Sequence, residues 1–553
     1  MSTVVLGLNG FAGADHDAAA ALVIGNRVVA AVEEERLNRR RHAVGCRPAL
    51  AALEVLRLAG VDAREVDVVS HGWQPEALGL GLDARSEAEA VRGTLAAAGV
   101  AVPASTPVVF VDHHLAHLWC AVAYLPAGAD RGTIDGLVID GAGESTSGAL
   151  FRVRGGAAEK VWNLGLRGSL GWLYEHTTQA IGFSPGEEGK TMGLAAYGRL
   201  QVAVEVPAPP DDRFGGPIPA LAERGELLSL YRAGLARLRS IARAGASFNH
   251  RSDLALSVQT LVESRILSYL REIADPAPSL VLAGGVALNC TINATVADWC
   301  RGRGVTLALP PPANDGGVAI GAAVAVSASP VDCVAGDAFL GRGYEPAEVA
   351  ARLEALGARP HGVTPERLAE DLFERGLTCG WFEGRAEIGP RALGKRCVLA
   401  RPDSTRVRDR LNVVKGRETW RPLAPSLLPG EFSASFEGTP SPYMLIACEA
   451  VPRAARPLAG VVHVDNSARP QVLQDEALDG PYAALLRAIE RRTGHAAVTC
   501  TSFNLGGQPI VYSPEDAYHA AVTMGLDLLA GDGWCVPLKD PLPRASLPPG
   551  GGG

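Results

Sequence analysis

One pattern of apolar runs and glycine turns occurs twice in this chain of 553 residues. The apolar runs of the first copy lie at 4–10, 18–24 and 27–32. Those of the second copy lie at 136–140, 148–153 and 160–162. Each copy is typical of strand, glycine-rich turn, strand, tight turn, strand. The repeat predicts a duplicated α/β fold of the actin-like and sugar-kinase-like architecture, with a ligand in the cleft between the halves.

Length and composition limit what the chain can form. It is too long for one hydrophobic core, so two or more domains are expected. Hydrophobic residues make up 47% and charged residues 20%, which is ordinary for a soluble globular protein. The formal net charge of −8 argues against nucleic acid as a partner.

The sequence also predicts a cytoplasmic protein that does not enter a membrane. Its start lacks a basic leader with a long apolar stretch, so we expect no signal peptide. No apolar run reaches the roughly 18–20 residues that a transmembrane helix needs. The ten cysteines are scattered without a C-x-x-C pair, and we interpret them as reduced thiols.

The remaining segments indicate how the chain divides. Helical periodicity occurs at 47–58, 86–98, 227–242 and 254–273. A buried strand is predicted at 106–111, and strand–turn–helix units at 279–289 and 307–323. A surface loop is predicted at 205–217 and a linker at 339–346. We therefore expect two α/β domains, residues 1–345 and 346–545, and a disordered tail at 546–553.

Two histidines and two aspartates form a candidate metal site. His113 and His117 are four residues apart at the start of a predicted helix, which puts both imidazoles on one face. Asp140 ends a predicted strand, and Asp315 precedes a glycine pair at a helix start. Such a donor set suits Fe(II), Mn(II) or Zn(II). Surface or capping histidines are the alternative interpretation. We assign His114 to a substrate contact or to support of the metal ligands.

Glycine turns next to these residues are candidates for a nucleotide site. A glycine pair lets backbone N–H groups approach a phosphate at a helix start. A purely structural turn is the equal alternative. The predicted nucleotide-binding residues are Gly141, Gly143, Gly284, Gly285, Asn289 and Asn314.

Cationic side chains crowd one segment of this otherwise acidic chain. They stand among glycine, proline and apolar residues, which favours a pocket over a solvated face. Guanidinium groups bind phosphate bidentately and stabilise charge that develops in phosphoryl or adenylyl transfer. Nucleic acid is the rival ligand, but interleaved aromatic residues are missing. The candidate cations are Arg385, Arg391, Lys395, Arg396, Lys415, Arg417 and Arg421.

A polar loop near the C-terminus supplies further donors. Thr501, Ser502 and Asn504 offer hydroxyl and amide groups to a ligand, or they cap their own loop. Cys500 is a candidate nucleophile without an evident activating partner. The sequence contains no G-x-S-x-G elbow, Walker A motif or H-E-x-x-H helix.

An ordered set of motifs along nearly the whole chain resembles the O-carbamoyltransferases, which include a nodulation enzyme and enzymes that modify antibiotics. In the first part these motifs are DHHLAH (112–117), VIDGAGE (138–144), EEGKTMGLAAYG (187–198), LAGGVALN (282–289) and ANDGGVAIGAA (313–323). In the second part they are GRAEIGPRALGKRCVLARP (384–402), VVKGRETWRPLAPSLL (413–428), VDNSARPQVL (464–473) and TSFNLGGQPIVYSPEDA (501–517).

The resemblance implies a Kae1-like N-terminal domain of the ASKHA class and a YrdC-like C-terminal domain. In that family, carbamoyl phosphate and ATP, with Mg²⁺, give carbamoyl-adenylate in the YrdC-like domain. The carbamoyl group then passes in the Kae1-like domain to a hydroxyl, with release of AMP. Antibiotic biosynthesis, with a small natural product as acceptor, is the expected setting.

The resemblance also implies roles for individual residues. His113, His117, Asp140 and Asp315 become iron ligands, and Asp15 and His16 face the acceptor, with His16 the better proton acceptor. The basic stretch 35–42 contacts the adenylate or the acceptor; the family often has Lys where this chain has Arg40 or Arg41, and we assign the role to Arg40 with Arg41 as the alternative. The cations and the polar loop inherit the carbamoyl-phosphate and ATP site. Two departures from the family pattern are Lys395-Arg396, where Asn-Arg is common, and VDNSARPQ in place of VDGTARVQ.

Two other functions share these features. A tRNA threonylcarbamoyl-type enzyme has the same two domain types, but it predicts a basic surface that the net charge of −8 opposes. The third possibility is a non-catalytic nucleotide-binding module. The intact metal-type and arginine clusters argue against it, because such a module does not require them. A monomer and a homodimer are equally compatible with the sequence.

Overall fold

The computed structural model describes residues 2–11, 16–78, 83–199, 211, 213, 224–243, 245 and 247–538. Three predictions lie wholly or mainly outside them: the role of Asp15, the loop at 205–217 and the tail at 546–553. No helix in the described ranges is long and apolar enough to cross a membrane.

Two five-stranded sheets with one shared topology build the first part of the molecule. The first sheet contains β1 (Val4–Asn9), β2 (Ala19–Ile24), β3 (Arg27–Glu33), β4 (Val68–His71) and β5 (Val108–Phe110). The second contains β6 (Thr133–Ile139), β7 (Thr146–Arg154), β8 (Ala157–Gly165), β9 (Ser279–Ala283) and β10 (Thr306–Ala308). Their orders are β3-β2-β1-β4-β5 and β8-β7-β6-β9-β10. In each, the first three strands are antiparallel neighbours and the last two run parallel to the first. The predicted duplication is confirmed.

The helices of this part are α1 (Glu34–Asn38), α2 (Ala49–Ala59), α3 (Ala84–Ala97), α4 (His113–Ala123), α5 (Leu170–Ala180), α6 (Glu188–Ala195), α7 (Arg224–Arg243), α8 (Phe248–Arg271), α9 (Cys290–Arg301) and α10 (Val318–Ala325). The predicted helices agree with α2, α3, α7 and α8. Helix α8 begins six residues before the predicted start because Ser247 caps it, accepting a hydrogen bond from the His250 N–H (3.2 Å).

Helices α4 and α10 occupy equivalent places in the two halves, each after the fifth strand of its sheet. They pack backbone to backbone. A Cβ on Gly321 would lie 1.6 Å from the Ala116 carbonyl oxygen, so only glycine permits this approach. The contact fixes the residues at the N-terminal ends of both helices relative to each other.

The chain after Pro346 forms a separate mixed sheet. Its strands are β11 (His361–Gly362), β12 (Cys379–Phe382), β13 (Arg396–Ala400), β14 (Ala424–Leu427), β15 (Phe436–Glu437), β16 (Cys448–Ala450), β17 (Ser467–Ala468), β18 (Gln471–Val472), β19 (Ala497–Ser502), β20 (Leu528–Gly531) and β21 (Trp534–Pro537). Eight of them pair in the order β11-β21-β20-β12-β13-β19-β14-β18, and β15-β16-β17 form a small sheet. The helices are α11 (Pro346–Ala355), α12 (Pro365–Phe373), α13 (Thr405–Val414), α14 (Pro429–Ser435), α15 (Pro481–Thr493) and α16 (Pro514–Met524). The protein is thus a mixed α/β protein throughout.

Direct hydrogen bonds join the two parts. Arg36, buried in α1, donates from Nη2 to the Gly389 carbonyl (2.6 Å). Asn293 in α9 donates to the Leu445 carbonyl (2.7 Å), and the Ala447 N–H donates to the Cys290 carbonyl (2.9 Å). Because these donors and acceptors are mostly buried, the bonds fix the relative position of the two parts.

Candidate metal centre and anion-binding cluster

The four predicted metal ligands, His113, His117, Asp140 and Asp315, meet in one buried site that we call the metal group. His113 and His117 lie on successive turns of α4, Asp140 follows β6, and Asp315 opens the short 3-10 turn before α10. The two imidazole Nε2 atoms are 3.2 Å apart. His117 Nε2 lies 3.3 Å from both Asp140 Oδ2 and Asp315 Oδ1, and His113 Nε2 lies 3.3 and 3.6 Å from the same atoms. One ligand atom from each residue thus faces a common point.

These spacings fit a metal ion. Donor atoms about 2.0–2.2 Å from a tetrahedral ion are separated by about 3.3–3.6 Å, as these are. The surroundings also orient the donors. His113 Nδ1 lies 3.3 Å from the Gly72 carbonyl, which favours a proton on Nδ1 and a lone pair on Nε2. Asp140 Oδ1 accepts from the N–H groups of Gly141 (2.8 Å) and Gly285 (3.1 Å), which leaves Oδ2 for the centre.

The electrostatics of the group call for a cation. Burial lowers the pKa of His113 and His117, but Asp140 and Asp315 outweigh it and raise both pKa values above 6.5. Burial raises the pKa of the two carboxyls, but the imidazoles outweigh it and lower the pKa of Asp315 to about 2 and that of Asp140 further. Without a metal, protons on the imidazoles neutralise the negative charge of the two carboxylates. In the metal-bound state a divalent ion would take over this role.

His114 points away from this group, as predicted from its place on the helix. Its Nδ1 lies 3.0 Å from Thr146 Oγ1, and its Nε2 is buried without a hydrogen-bond partner among the described residues. Burial and His113 lower the pKa of His114 to about 3, so the ring is neutral. A Cβ on Gly143 would lie 3.0 Å from its Nε2. His114 therefore packs against the 141–146 loop.

The structure gives several predicted nucleotide contacts a structural use. Gly284 has φ +90°, and a Cβ there would lie 2.3 Å from the Ile139 carbonyl oxygen. Asn289 caps α9, accepting from the N–H groups of Thr291 and Ile292 (both 3.2 Å), and its amide donates to Gln259 (2.8 Å). Since both ends of its amide are engaged within the protein, we remove Asn289 from the nucleotide-binding set.

The structure separates the arginines of the basic stretch 35–42. Arg40 is exposed and donates weakly to the Val44 carbonyl (3.4 Å) and to Cys46 Sγ (3.5 Å). The neighbouring Arg41 instead interacts electrostatically with Arg417 and Arg421. Arg39 contacts the second part directly and donates to the carbonyls of Ile510 (2.7 Å) and Pro509 (3.0 Å). Of the two alternatives Arg40 and Arg41, the structure brings Arg41 near the cations of the second part, and a ligand contact of Arg40 stays a prediction.

Four of the seven predicted cations come together on loops of the second part. Arg391 precedes β13, Lys415 ends α13, and Arg417 and Arg421 follow it. Arg417 donates to Thr501 Oγ1 and Ser502 Oγ (both 3.3 Å). Lys415 Nζ, fully buried, donates to the Ser502 carbonyl and to Asn504 Oδ1 (3.1 Å). The predicted polar loop is thus part of the same cluster.

A fifth cation, Arg469, was missing from the predicted site although its motif was recognised. It interacts electrostatically with Arg391, Arg417 and Arg421 from the loop between β17 and β18. We call Arg391, Lys415, Arg417, Arg421 and Arg469 the cation cluster. The role of Arg469 shows only in three dimensions, where the motif VDNSARPQVL lies beside the other basic motifs. Its position in the sequence does not indicate this proximity.

The charge of the cation cluster is only partly compensated, by Glu418 next to Arg417 and Arg421 and by Glu187 next to Arg421. Burial, followed by neighbouring cations, lowers the pKa of Arg391, Lys415 and Arg417. In the described part of the chain, the buried Nε atoms of Arg391 and Arg469 have no hydrogen-bond acceptor. Like charges held together with unused donors indicate a site for a polyanion.

Three predicted cations lie outside the cluster. Arg385 donates to the carbonyls of Gly341 (3.0 Å), Val29 (3.0 Å) and Leu340 (2.9 Å). Lys395 forms an ion pair with Glu383 (2.7 Å). Arg396 is fully buried, donates to four carbonyls and stacks on Phe382 at 3.8 Å. Because these groups are engaged with the protein, we do not retain Arg385, Lys395 and Arg396 as ligand contacts. Cys500 is only 1% exposed, so a substrate cannot reach its thiol as a nucleophile in this structure.

One aromatic side chain docks the cluster loop on the first part. Trp420 lies between Arg417 and Arg421 in sequence and packs against Phe183, Tyr197 and Phe248, with ring centroids 6.3–6.4 Å apart. Tyr197 Oη donates to its carbonyl (3.2 Å). The Lys190–Glu418 ion pair (2.9 Å) adds a contact to α6. The motif 187–198 therefore serves as the platform for this loop.

A single turn touches both sites. The 3-10 turn Gly285–Leu288 donates from the Gly285 N–H to Asp140 Oδ1 (3.1 Å). At its other end the Leu288 carbonyl accepts from Arg391 Nη2 (3.2 Å). A 3-10 turn of four residues rises about 6 Å over its length. The metal group and the cation cluster are therefore near neighbours.

Comparison with known proteins shows the family of this chain. Residues 91–324 match the carbamoyltransferase N-terminus family and residues 369–537 the carbamoyltransferase C-terminus family. The nodulation protein NolNO of Sinorhizobium fredii is 33% identical over 97% of this chain and 82% of its own length. The 3'-hydroxymethylcephem-O-carbamoyltransferase of Amycolatopsis lactamdurans is 28% identical over 94% of this chain and 97% of its own. The chain therefore belongs to the carbamoyltransferase family of enzymes.

Similarity to solved structures is weaker. Component A of the (R)-2-hydroxyglutaryl-CoA dehydratase of Acidaminococcus fermentans covers 58% of this chain and 96% of its own, with 15% identity and a TM-score of 0.33. A score at this level carries no argument about the fold. The evidence for the duplicated architecture is the strand topology described above.

Proposed function

We propose that the protein is an ATP-dependent O-carbamoyltransferase that acts in two stages. Carbamoyl phosphate, after loss of its phosphate, and ATP, with Mg²⁺, give carbamoyl-adenylate and diphosphate at the cation cluster, in a YrdC-like domain at 346–545. The carbamoyl group then passes to a hydroxyl of a small natural product at the metal group, in a Kae1-like domain of the ASKHA class at 1–345. The observation that carries the proposal is the turn 285–288, which contacts both sites.

The cation cluster supports the first stage. Carbamoyl phosphate and ATP bring several phosphate groups into one place, and their joint approach needs dense positive charge. Arg391, Arg417, Arg421 and Arg469 supply it, and the unused Nε donors of Arg391 and Arg469 can bind phosphate oxygens. Preorganised cations also stabilise the charge that develops as diphosphate leaves.

The metal group supports the second stage. An ion such as Fe(II), Mn(II) or Zn(II), held by His113, His117, Asp140 and Asp315, would act as a Lewis acid toward the carbamoyl carbonyl. The buried walls of the group exclude water, which competes with the acceptor hydroxyl. Trp73, stacked on His113 at 3.8 Å, holds one imidazole in place.

The acceptor class follows from the relatives and not from the geometry. The Amycolatopsis protein is named as an O-carbamoyltransferase of 3'-hydroxymethylcephem. We propose a small natural product of antibiotic biosynthesis as acceptor, in the cytoplasm, without nucleic acid or membrane as partner.

One assay tests the function. The purified protein is incubated with carbamoyl phosphate, ATP and Mg²⁺, and diphosphate and AMP are followed with small-molecule alcohols or with tRNA plus threonine. We expect diphosphate release that needs carbamoyl phosphate, and AMP release that small hydroxyl acceptors accelerate. AMP formation that depends strictly on tRNA and threonine would instead identify a threonylcarbamoyl-type enzyme.

A further inference from the structure

We propose that Asp17 and His42 form a general-base pair for the transfer stage, in which His42 Nε2 accepts the proton of the attacking hydroxyl. The inference rests on the proposed carbamoyl-adenylate chemistry and assigns the proton transfer within it. It replaces His16, which the sequence favours for this role.

The two side chains are tied together twice. His42 Nδ1 lies 2.7 Å from Asp17 Oδ1, and the Asp17 N–H donates to the His42 carbonyl (2.6 Å). The carboxylate accepts from Nδ1–H, which leaves the lone pair of the neutral imidazole on Nε2. A buried carboxylate that fixes one imidazole tautomer is the arrangement by which catalytic histidines are oriented as bases.

Contacts lead from this pair to the metal group. Asn314 donates from Nδ2 to Asp17 Oδ2 (2.8 Å) and directly precedes the ligand Asp315. Asn9 donates to the Asp17 carbonyl (3.1 Å) and accepts from Trp73 Nε1 (2.9 Å), while Trp73 stacks on His113. The pair is thus anchored to the elements that carry the ligands on two sides.

The backbone at both residues is strained. Asp17 has φ +55° and His42 has φ +61°, in the left-handed region that non-glycine residues rarely adopt. Such residues cost of order 1–3 kcal/mol each and cluster at functional sites. Two strained residues that meet in one hydrogen-bonded pair indicate that the contact between them is selected for.

The second nitrogen of His42 is buried and lacks a partner. Among the described residues, Nε2 has no hydrogen-bond partner, and it faces Gly186. A Cβ on Gly186 would lie 3.2 Å from Nε2, so only a residue without a side chain leaves this nitrogen uncrowded. A buried imidazole nitrogen without a partner needs an explanation, and the hydroxyl of a ligand would supply the missing hydrogen bond.

The charges around His42 suit a base near neutral pH. The Asp17 hydrogen bond raises the pKa of His42 most, burial opposes it, and Glu35 raises and Arg41 lowers the pKa further. Glu188, on the platform helix, also interacts with it electrostatically. The net pKa lies above 6.5, so the neutral, proton-accepting form increases as pH rises through that value.

His16 is more exposed than His42. Its Nδ1 lies 3.2 Å from Asp17 Oδ2, the oxygen that also accepts from Asn314, and its side chain is 56% exposed against 34% for His42.

The proposed step balances as follows. The acceptor oxygen attacks the carbamoyl carbon, and a new C–O bond forms as the bond from that carbon to the AMP phosphate oxygen breaks. AMP leaves as an anion and takes that electron pair. The hydroxyl proton moves to His42 Nε2 and is then released to solvent.

The test separates the two stages. Diphosphate released in the first turnover reports carbamoyl-adenylate formation, and steady-state AMP release reports its attack by a hydroxyl. The probe hydroxyls are water and glycerol, so a rate is defined for every variant. Hydroxylamine is the second probe, because its nitrogen attacks with its own lone pair.

For His42→Gln we expect the diphosphate burst to be kept within about threefold. Steady-state AMP release with water or glycerol should fall at least about 10²-fold, and hydroxylamine should restore most of it. The rise of the rate with pH should flatten. His16→Gln should lose less steady-state AMP release than His42→Gln and should keep the rise of the rate with pH.

A glycine pair in one loop supplies a matched control. Gly186 and Gly182 both have positive φ (+81° and +97°), so alanine strains either backbone alike. Only at Gly186 does the added methyl meet His42 Nε2, since at Gly182 the nearest atom is Arg251 Nη1 at 4.0 Å. Gly186→Ala should reproduce the transfer defect of His42→Gln, and Gly182→Ala should not.

The outcomes are distinct. A wild-type protein that releases no diphosphate overturns the proposed function and this inference with it. A normal burst with unimpaired AMP release in His42→Gln, or a defect that appears in His16→Gln instead, overturns the inference alone. Loss of the burst itself in His42→Gln assigns the residue to structure and overturns it as well.

Discussion

The metal group and the cation cluster handle charge in opposite ways. In the metal group two imidazoles stand against two carboxylates, so protons can balance the site without a metal. In the cation cluster five basic side chains stand together, and the buried Nε atoms of Arg391 and Arg469 lack acceptors within the described residues. The metal group is therefore electrostatically balanced both with protons on its imidazoles and with a bound metal. The cation cluster instead needs an anionic ligand to reduce the repulsion among its cations.

The largest effect is expected from breaking the metal group. Asp315→Asn removes a charged donor while it keeps the shape of the side chain, so metal affinity should fall at least about 10²-fold. AMP release should fall with it, while the first-turnover diphosphate burst remains. Metal content by elemental analysis and the two product assays check this. His176→Gln, a buried histidine of α5 outside the group, serves as the control. A burst that is lost together with the metal would contradict the separation of the two sites.

The pH dependence of metal binding sharpens the same contrast. The pKa values of His113 and His117 are raised, so protons occupy both imidazoles below those values and must leave before a metal binds. Apparent metal affinity should therefore rise with pH, by roughly tenfold to a hundredfold per unit until the imidazoles are neutral. Metal titrations at several pH values measure it. A pH-independent affinity would show that the imidazoles are not the ligands.

Removal of one member of the cation cluster should weaken ligand binding and spare folding. Arg417→Met should raise the KM for carbamoyl phosphate or ATP about 10–100-fold, because a charge-assisted hydrogen bond contributes about 1.5–3 kcal/mol. The free energy of unfolding should stay equal or increase, since repulsion with Arg421 is relieved. Arg406→Met, an exposed arginine of the same segment, is the matched control. A strongly destabilised Arg417 variant would mean that the cluster is structural.

The docking of Trp420 links the two regions, and its loss should produce a moderate effect. Trp420→Leu removes the ring from between Phe183, Tyr197 and Phe248 and loosens the loop with Arg417 and Arg421. We expect both KM values to rise several-fold and stability to fall by about 1–3 kcal/mol, with unchanged metal content. Denaturant unfolding and steady-state kinetics check this. Trp420→Phe should recover most of the loss, and equal defects in both variants would contradict an anchoring role.

The smallest effect concerns Asn289, whose predicted and observed roles differ. As the cap of α9 it should contribute about 0.5–2 kcal/mol to stability, which Asn289→Ala should lose in denaturant unfolding. Asn289→Ser, which keeps a capping oxygen, should recover this stability, and neither variant should change the KM for ATP by more than about twofold. A tenfold rise in that KM for both variants would return Asn289 to the nucleotide site.

Sequence patterns predicted the two five-stranded sheets and the metal group, because the signals for both are local in the sequence. Strand and turn periodicity is local, so the two copies of the sheet could be read from apolar runs. The four ligands stand beside signals of their own, a helical i, i+4 spacing and glycine turns after strands. The resemblance to a family supplied the metal and the chemistry, which periodicity alone did not.

The cation cluster could be predicted only in part, because composition does not tell where a side chain points. Arg385, Lys395 and Arg396 belong to the same basic run as Arg391, yet carbonyls and Glu383 take up their donors. Arg469 stands far along the chain and joins the cluster through tertiary packing alone. Arg40 and Arg41 are adjacent and chemically alike, yet it is Arg41 that interacts electrostatically with Arg417 and Arg421.

The glycine contact between α4 and α10 has a mechanical consequence. Gly321 lets two helices from opposite halves touch through their main chains, and three of the four metal ligands, His113, His117 and Asp315, stand at the N-terminal ends of these same helices. A main-chain contact this close cannot slide without a clash. A rotation of the halves would therefore displace these three ligands less than residues far from the crossing.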